Sequence, residues 1–183
     1  MKIMTKTLKL IIAALLASMT CVATMIIKIP IPATGGYINL GDCIVLLSGV
    51  VLGPLYGGLA AGLGSALADL LGGYFVFAPA TFVLKALMAV IMGIFINSAS
   101  KNRLEKFVLT GLLSETVMIL GYFAFEATFL GYGFAAAAAI PGNAIQGAAG
   151  IGLAVLLVPV LSKLNLSLLR KEKSDAKRRS DEQ

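Results

Sequence analysis

The chain has 183 residues, 58% of them hydrophobic and 13% charged, with a mean hydropathy of +0.94 and a net charge of +6. A soluble domain is nearer about 45–50% apolar and about 25% charged, so the composition excludes a soluble globular protein and leaves no room for a separate soluble catalytic domain. His is absent, which removes the commonest general base and metal ligand. The two cysteines, Cys21 and Cys43, lie in or beside apolar runs and form no disulfide framework.

In chain order, the breaks in the apolar sequence predict six helices. Helix 1 covers about residues 8–27 and stops at "KIPIP". Helix 2 covers about 39–52, with "GP" at 53–54 after it. Helix 3 covers about 55–72 and ends at Gly72-Gly73. Helix 4 covers about 79–97, with Pro79 in its first turn, where proline is tolerated. Helices 5 and 6 cover about 107–130 and 141–162, the latter starting at Pro141. Helix 2 is short for a full span, so a re-entrant pair 2–3 is the alternative. The stretch 1–165 is read as one membrane domain. Residues 166–183 form a basic cytoplasmic tail, polar enough to be disordered.

Charge sets the expected orientation. Lys2, Lys6 and Lys9 precede helix 1, and Lys101, Arg103 and Lys106 lie between helices 4 and 5. Seven more basic residues run from Lys163 to Arg179. Lys/Arg-rich short segments stay cytoplasmic. Four crossings then fit between the first two clusters and two between the last two. The fold class is an all-α integral membrane protein, a six-transmembrane-helix bundle with both termini inside. This charge pattern points to a membrane and its lipid, and not to nucleic acid.

Polar groups inside a membrane are costly and are site candidates by default. Lys85 lies two turns into helix 4. Glu115, Tyr122 and Glu126 are spaced by seven and eleven residues, close to two and three turns, so they share one face of helix 5. Asn143 and Gln146 sit together at the start of helix 6 in "PGNAIQG". With Tyr74 and other aromatics, these groups form an outward-opening pocket built mainly from helices 4 to 6. Two readings of Lys85 stand: an internal ion pair with Glu115, or a contact to a ligand. "ATGGYINLGD", residues 33–42, falls outside between helices 1 and 2. Gly35-Gly36 lets the chain bend, Tyr37 and Asn39 face the pocket, and Asp42 sits where a helix dipole favours an acid. The stretch reads as a lid. Helix 1 carries an A-x-x-x-A step at Ala13 and Ala17, a surface for close helix docking. Catalytic residues, a cofactor and a metal site are not expected.

"TGGYINLGD" at 34–42, "GPLYGGLAAGLGSALADLLGGY" at 53–74, "PATFVLKALMA" at 79–89 and "GNAIQG" at 142–147 resemble the substrate-binding S component of energy-coupling factor (ECF) vitamin transporters. The resemblance spans about residues 8 to 165. It implies a six-helix bundle in a prokaryotic cell membrane that binds one vitamin from outside. It also implies partners: a transmembrane coupling protein, which docks at Ala13 and Ala17, and two ABC-type ATPases. No G-x-x-x-x-G-K-[ST] occurs here, so ATP hydrolysis falls to those partners and the chain is not an enzyme. Acids facing the pocket suit a ligand with amino or hydroxyl donors. A pyridoxine- or pyrimidine-like vitamin is favoured, with riboflavin also possible and pantothenate, its carboxylate on Lys85, the rival. A stand-alone structural membrane protein or an intramembrane enzyme is the reading from another class.

Overall fold

The computed structural model describes residues 5–96 and 103–157. The expected tail 166–183, and the end of helix 6 beyond 157, lie outside the described residues. Helix α1 is Lys6–Ile26, capped by Thr5, whose Oγ1 accepts from Leu8 N at 3.2 Å. Two strands follow, β1 Lys28–Ile31 and β2 Gly36–Asn39. Then come α2 Asp42–Leu71, α3 Ala78–Phe95 and α4 Arg103–Thr128. A 3-10 turn, Gly133–Ala139, leads into α5, residues 140–157. Among the described residues, five helices are long and apolar enough to cross a membrane.

The count of five, where six were expected, turns on α2. Its backbone leaves helical values at Gly53 (φ 75°, ψ −174°), immediately before Pro54. That region is essentially reserved for glycine, and proline removes the donor that a continuing helix would need. The chain doubles back here. Gly57 packs on the carbonyl of Ser48, and Val45 shares a core cluster with Ala61. The expected helices 39–52 and 55–72 are thus the two legs of one bent element. The first leg, 42–52, is about 16 Å long at 1.5 Å per residue, half of the roughly 30 Å hydrocarbon thickness.

That short leg is the centre of the bundle. Every residue from Asp42 to Gly49 is buried, the pattern of a helix covered on all sides. Cys43, Ile44, Leu46 and Leu47 pack with Met92 of α3, Phe107 of α4 and Ile151 and Ala154 of α5. Val45 packs with Met88, Ala89 and Met118. Helix α1 is peripheral. Ile11, Leu15, Met19, Val22 and Ile26 form an exposed apolar stripe along it, while the carbonyl of Ala17 abuts Gly64 of α2. Ala13 and Ala17 are half-buried, so the small-residue step at Ala17 serves packing within the chain as well as any outer surface.

The segment expected to be a lid loop is a hairpin. β1 and β2 pair antiparallel, with Lys28 opposite Asn39 and Pro30 opposite Tyr37. Gly35, at φ 69°, makes the reversal, and its N–H donates to Ile31 O at 3.0 Å. An all-α class therefore holds for the spans and not for this connection. Helix α4 begins no later than Arg103, four residues before its expected start, so Arg103 and Lys106 are on the helix itself.

Candidate functional site

The hairpin lies over one end of the bundle, and a pocket lies beneath it. Its wall includes Thr24 of α1, Gly36, Tyr37 and Asn39 of β2, and Ser65 and Asp69 of α2. Phe77, Thr81 and Lys85 line it from around α3, Tyr122 and Glu126 from α4, and Asn143 and Gln146 from α5. The space among these side chains, part of it open to solvent, is about 470 Å³. Hydrogen bonds from Tyr37 and Asn39 hold the hairpin over the pocket.

Gln146 ties three elements together. Its Oε1 accepts from Asn39 N at 2.7 Å and from Asn39 Nδ2 at 3.3 Å, and its Nε2 donates to Asp42 Oδ2 at 2.6 Å. The other Asp42 oxygen takes the ammonium of Lys85 in a buried ion pair. The Lys85 Nζ also lies 5.7 Å from the centroid of the Tyr122 ring, an attractive cation–π distance. Thr81 and Tyr122 share a hydrogen bond of 2.8 Å between their hydroxyls. At the other edge the Tyr37 hydroxyl donates to Asp69 Oδ1. Burial, and then that bond, raise the Tyr37 phenol above its ordinary pKa, so it stays protonated and donates. Tyr74 backs the Tyr37 ring at 4.4 Å between centroids. Lys28 Nζ covers both rings, at 4.8 Å and 5.2 Å, and reaches Ala68 O at 3.5 Å.

Of the residues expected in the site, the structure brings together Tyr37, Asn39, Lys85, Tyr122, Glu126, Asn143 and Gln146. It does not bring in Tyr74 or Glu115. Tyr74 stands behind Tyr37, outside the lining. Glu115 shares its helix face with Tyr122 and Glu126 but lies deeper, against Gly147 and Gly150 of α5. Of the two readings of Lys85, the internal pair with Glu115 is not formed: Lys85 pairs with Asp42, because the inserted first leg of α2 carries Asp42 to the depth of Lys85. Asp42 and Asp69 were missed as site residues. Asp69 is an acid in an apolar span, the same signal that identified Lys85, and Asp42 has the look of an ordinary helix-start acid.

A family model described as "ECF-type riboflavin transporter, S component" matches residues 4–163. The chain belongs to this family. The S component is also 40% identical, over 147 residues, to a protein of Pyrococcus woesei described as "Uncharacterized protein in gap 3'region". That match covers 76% of this chain and 97% of the relative. Among solved structures it is similar to one titled "Structure and mechanism of the S component of a bacterial ECF transporter". The TM-score is 0.69 at 22% identity, covering 87% of this chain and 98% of that one. At that identity the likeness speaks to the fold. The S component is a substrate-binding membrane subunit of an ECF transporter.

Proposed function

We propose that this S component captures riboflavin from outside a prokaryotic cell and delivers it through an ECF complex whose other subunits hydrolyse ATP. The observation that carries the reading is a buried pocket of acceptor side chains and rings under a hydrogen-bonded hairpin, in a chain of the riboflavin-transporter S component family. Riboflavin supplies a flat ring for Tyr37, Phe77 and Tyr122 and hydroxyl donors for the acids and amides. The family description favours it over the smaller pyridoxine- or pyrimidine-like ligand. The hairpin acts as the lid: entry requires breaking the bonds from Asn39 to Gln146 and from Tyr37 to Asp69, and closure restores them. Isothermal titration of the detergent-purified chain with riboflavin should give saturable one-to-one binding and no ATP hydrolysis. A titration without heat or saturation would remove riboflavin as the ligand.

In this reading the two legs of α2 count as separate crossings, giving six, with both termini cytoplasmic. Support comes from the basic residues Lys6, Lys9, Arg103 and Lys106, which lie at the helix ends away from the hairpin. The partners are a transmembrane coupling protein and two ATPase subunits, and the coupling protein docks on α1 at Ala13 and Ala17. Ala13→Trp should prevent co-purification of the coupling protein while riboflavin titrates as in the wild type, because the added ring holds helices apart far from the pocket. Normal assembly of that variant would move the docking face elsewhere.

A further inference from the structure

Glu115 lies below the pocket as a buried acid that the binding reading does not use. It precedes Glu126 by eleven residues on α4, about 16 Å along the helix, which is half-way through a hydrocarbon layer roughly 30 Å thick. It is 3% exposed, and neither of its carboxyl oxygens has a hydrogen-bond partner among the described residues. Helix α5 meets it with glycine. A Cβ on Gly147 would stand 3.1 Å from Oε2, and one on Gly150 would stand 3.2 Å from Oε1 and 2.8 Å from the Cβ of Asp42. Among the described residues, the charges that act on Glu115 are those of Asp42 on α2 and Lys85 on α3. Two acids thus share one ammonium, and that ammonium is bonded to Asp42. An ionised Glu115 would be a buried, unpaired charge, which a protein interior neutralises.

We propose that Glu115 is a binding site for one monovalent cation, a proton or Na⁺, and that its occupancy is coupled to closure of the hairpin. One positive charge balances Asp42, Glu115 and Lys85, and a divalent ion would overshoot. A proton needs one carboxyl oxygen and Na⁺ would take both; neither oxygen is engaged elsewhere. Asp42 is the link to the hairpin. It takes Lys85 on one oxygen and the Gln146 amide on the other, and Gln146 accepts from Asn39 of β2. With a cation bound, Glu115 does not compete for the ammonium, and this chain of bonds stays intact. Without one, Glu115 attracts Lys85 away from Asp42, and the network under the hairpin loosens. Cation and closed hairpin then favour one another, and the coupling is reciprocal. The effect on ligand affinity rests on the reading of the pocket as a riboflavin site; occupancy of Glu115 does not.

The test uses the detergent-purified full chain. Its unfolding midpoint without ligand and its riboflavin affinity are measured at about pH 6 and about pH 9, in NaCl and in choline chloride of equal ionic strength. If Na⁺ fills the site, the midpoint is higher in NaCl by mass action, and riboflavin binds at least about fivefold tighter there. If a proton fills it, the two salts give the same values. The proton is held at the lower pH and lost at the higher, so midpoint and affinity both fall as pH rises, affinity by at least about fivefold. Glu115→Gln, a neutral isostere, should remove whichever dependence the wild type shows and bind riboflavin as the cation-bound wild type does. Glu115→Met takes its place if the amide variant does not fold. A wild type with neither dependence would overturn the proposal, as would a dependence that survives in the variant, or failure of both variants to fold. Absence of riboflavin binding under every condition would remove riboflavin as the ligand, while the midpoints would still decide the cation site.

Discussion

Lys85→Ala should destabilise the protein by about 3–5 kcal/mol and abolish ligand binding. The ion pair with Asp42 is inside the bundle, with the two side chains 3% and 0% exposed. Removing the ammonium leaves the Asp42 carboxylate buried with only the Gln146 amide for company. Breaking a buried pair from one side has this magnitude because the remaining charge is uncompensated. At about 2–4 °C per kcal/mol for a chain of this size, the unfolding midpoint in detergent should fall by roughly 6–20 °C. The companion experiment separates fold from function. Replacing both partners, Lys85→Met with Asp42→Leu, removes both charges at once and should restore the midpoint, since apolar replacement of a buried pair is often neutral or stabilising. Binding should stay lost, because the Gln146 Nε2 then has no acceptor at Asp42 and the network that positions Asn39 is cut. A midpoint for Lys85→Ala equal to the wild type would mean that the pair contributes nothing to the fold. Recovered binding in the double variant would take the pair out of the site.

What the sequence made legible follows from which of its signals are local. Lys85, Tyr122, Glu126, Asn143 and Gln146 stand out because a polar group in an apolar span is expensive wherever the helix goes. The spacing of Glu115, Tyr122 and Glu126 fixed a shared helix face. It did not fix depth: Tyr122 and Glu126 reach the pocket, and Glu115 ends beneath it against Gly147 and Gly150. Partnerships over distance were invisible. Lys85 meets an acid 43 residues away, and Tyr37 meets one 32 residues away. Nothing in the apolar pattern says that the leg after "ATGGYINLGD" starts half-way down the bundle. The hairpin was missed as strand because each strand has four residues, too short for an alternation to declare itself. Its bend at Gly35 was legible, since a glycine pair after "IPIP" supplies the left-handed turn that other residues resist.

Gly57→Val should disable the site without touching it. Gly57 does not line the pocket. A Cβ there would stand 2.5 Å from the carbonyl oxygen of Ser48 and 2.9 Å from the Cα of Gly49. Both are backbone atoms of the facing leg of α2, so no side chain can swing aside, and valine adds two methyl groups beyond that Cβ. The legs must separate. Overpacking of a dense interior destabilises by about 1–3 kcal/mol or more, and here the strain has a direction. Ser48 is six residues below Asp42, about 9 Å along the same short leg. Pushing that leg outward moves Asp42 away from Lys85 and Gln146, whose contacts with it are hydrogen-bonded and intolerant of displacement. Riboflavin affinity should fall at least about tenfold, as expected when a buried network loses a bond worth about 1–3 kcal/mol. Gly152→Val is the control, because a Cβ on that glycine meets nothing within 4 Å and should leave both midpoint and affinity unchanged. Wild-type affinity in Gly57→Val, with a lowered midpoint, would show that the placement of Asp42 does not depend on how closely the two legs of α2 approach.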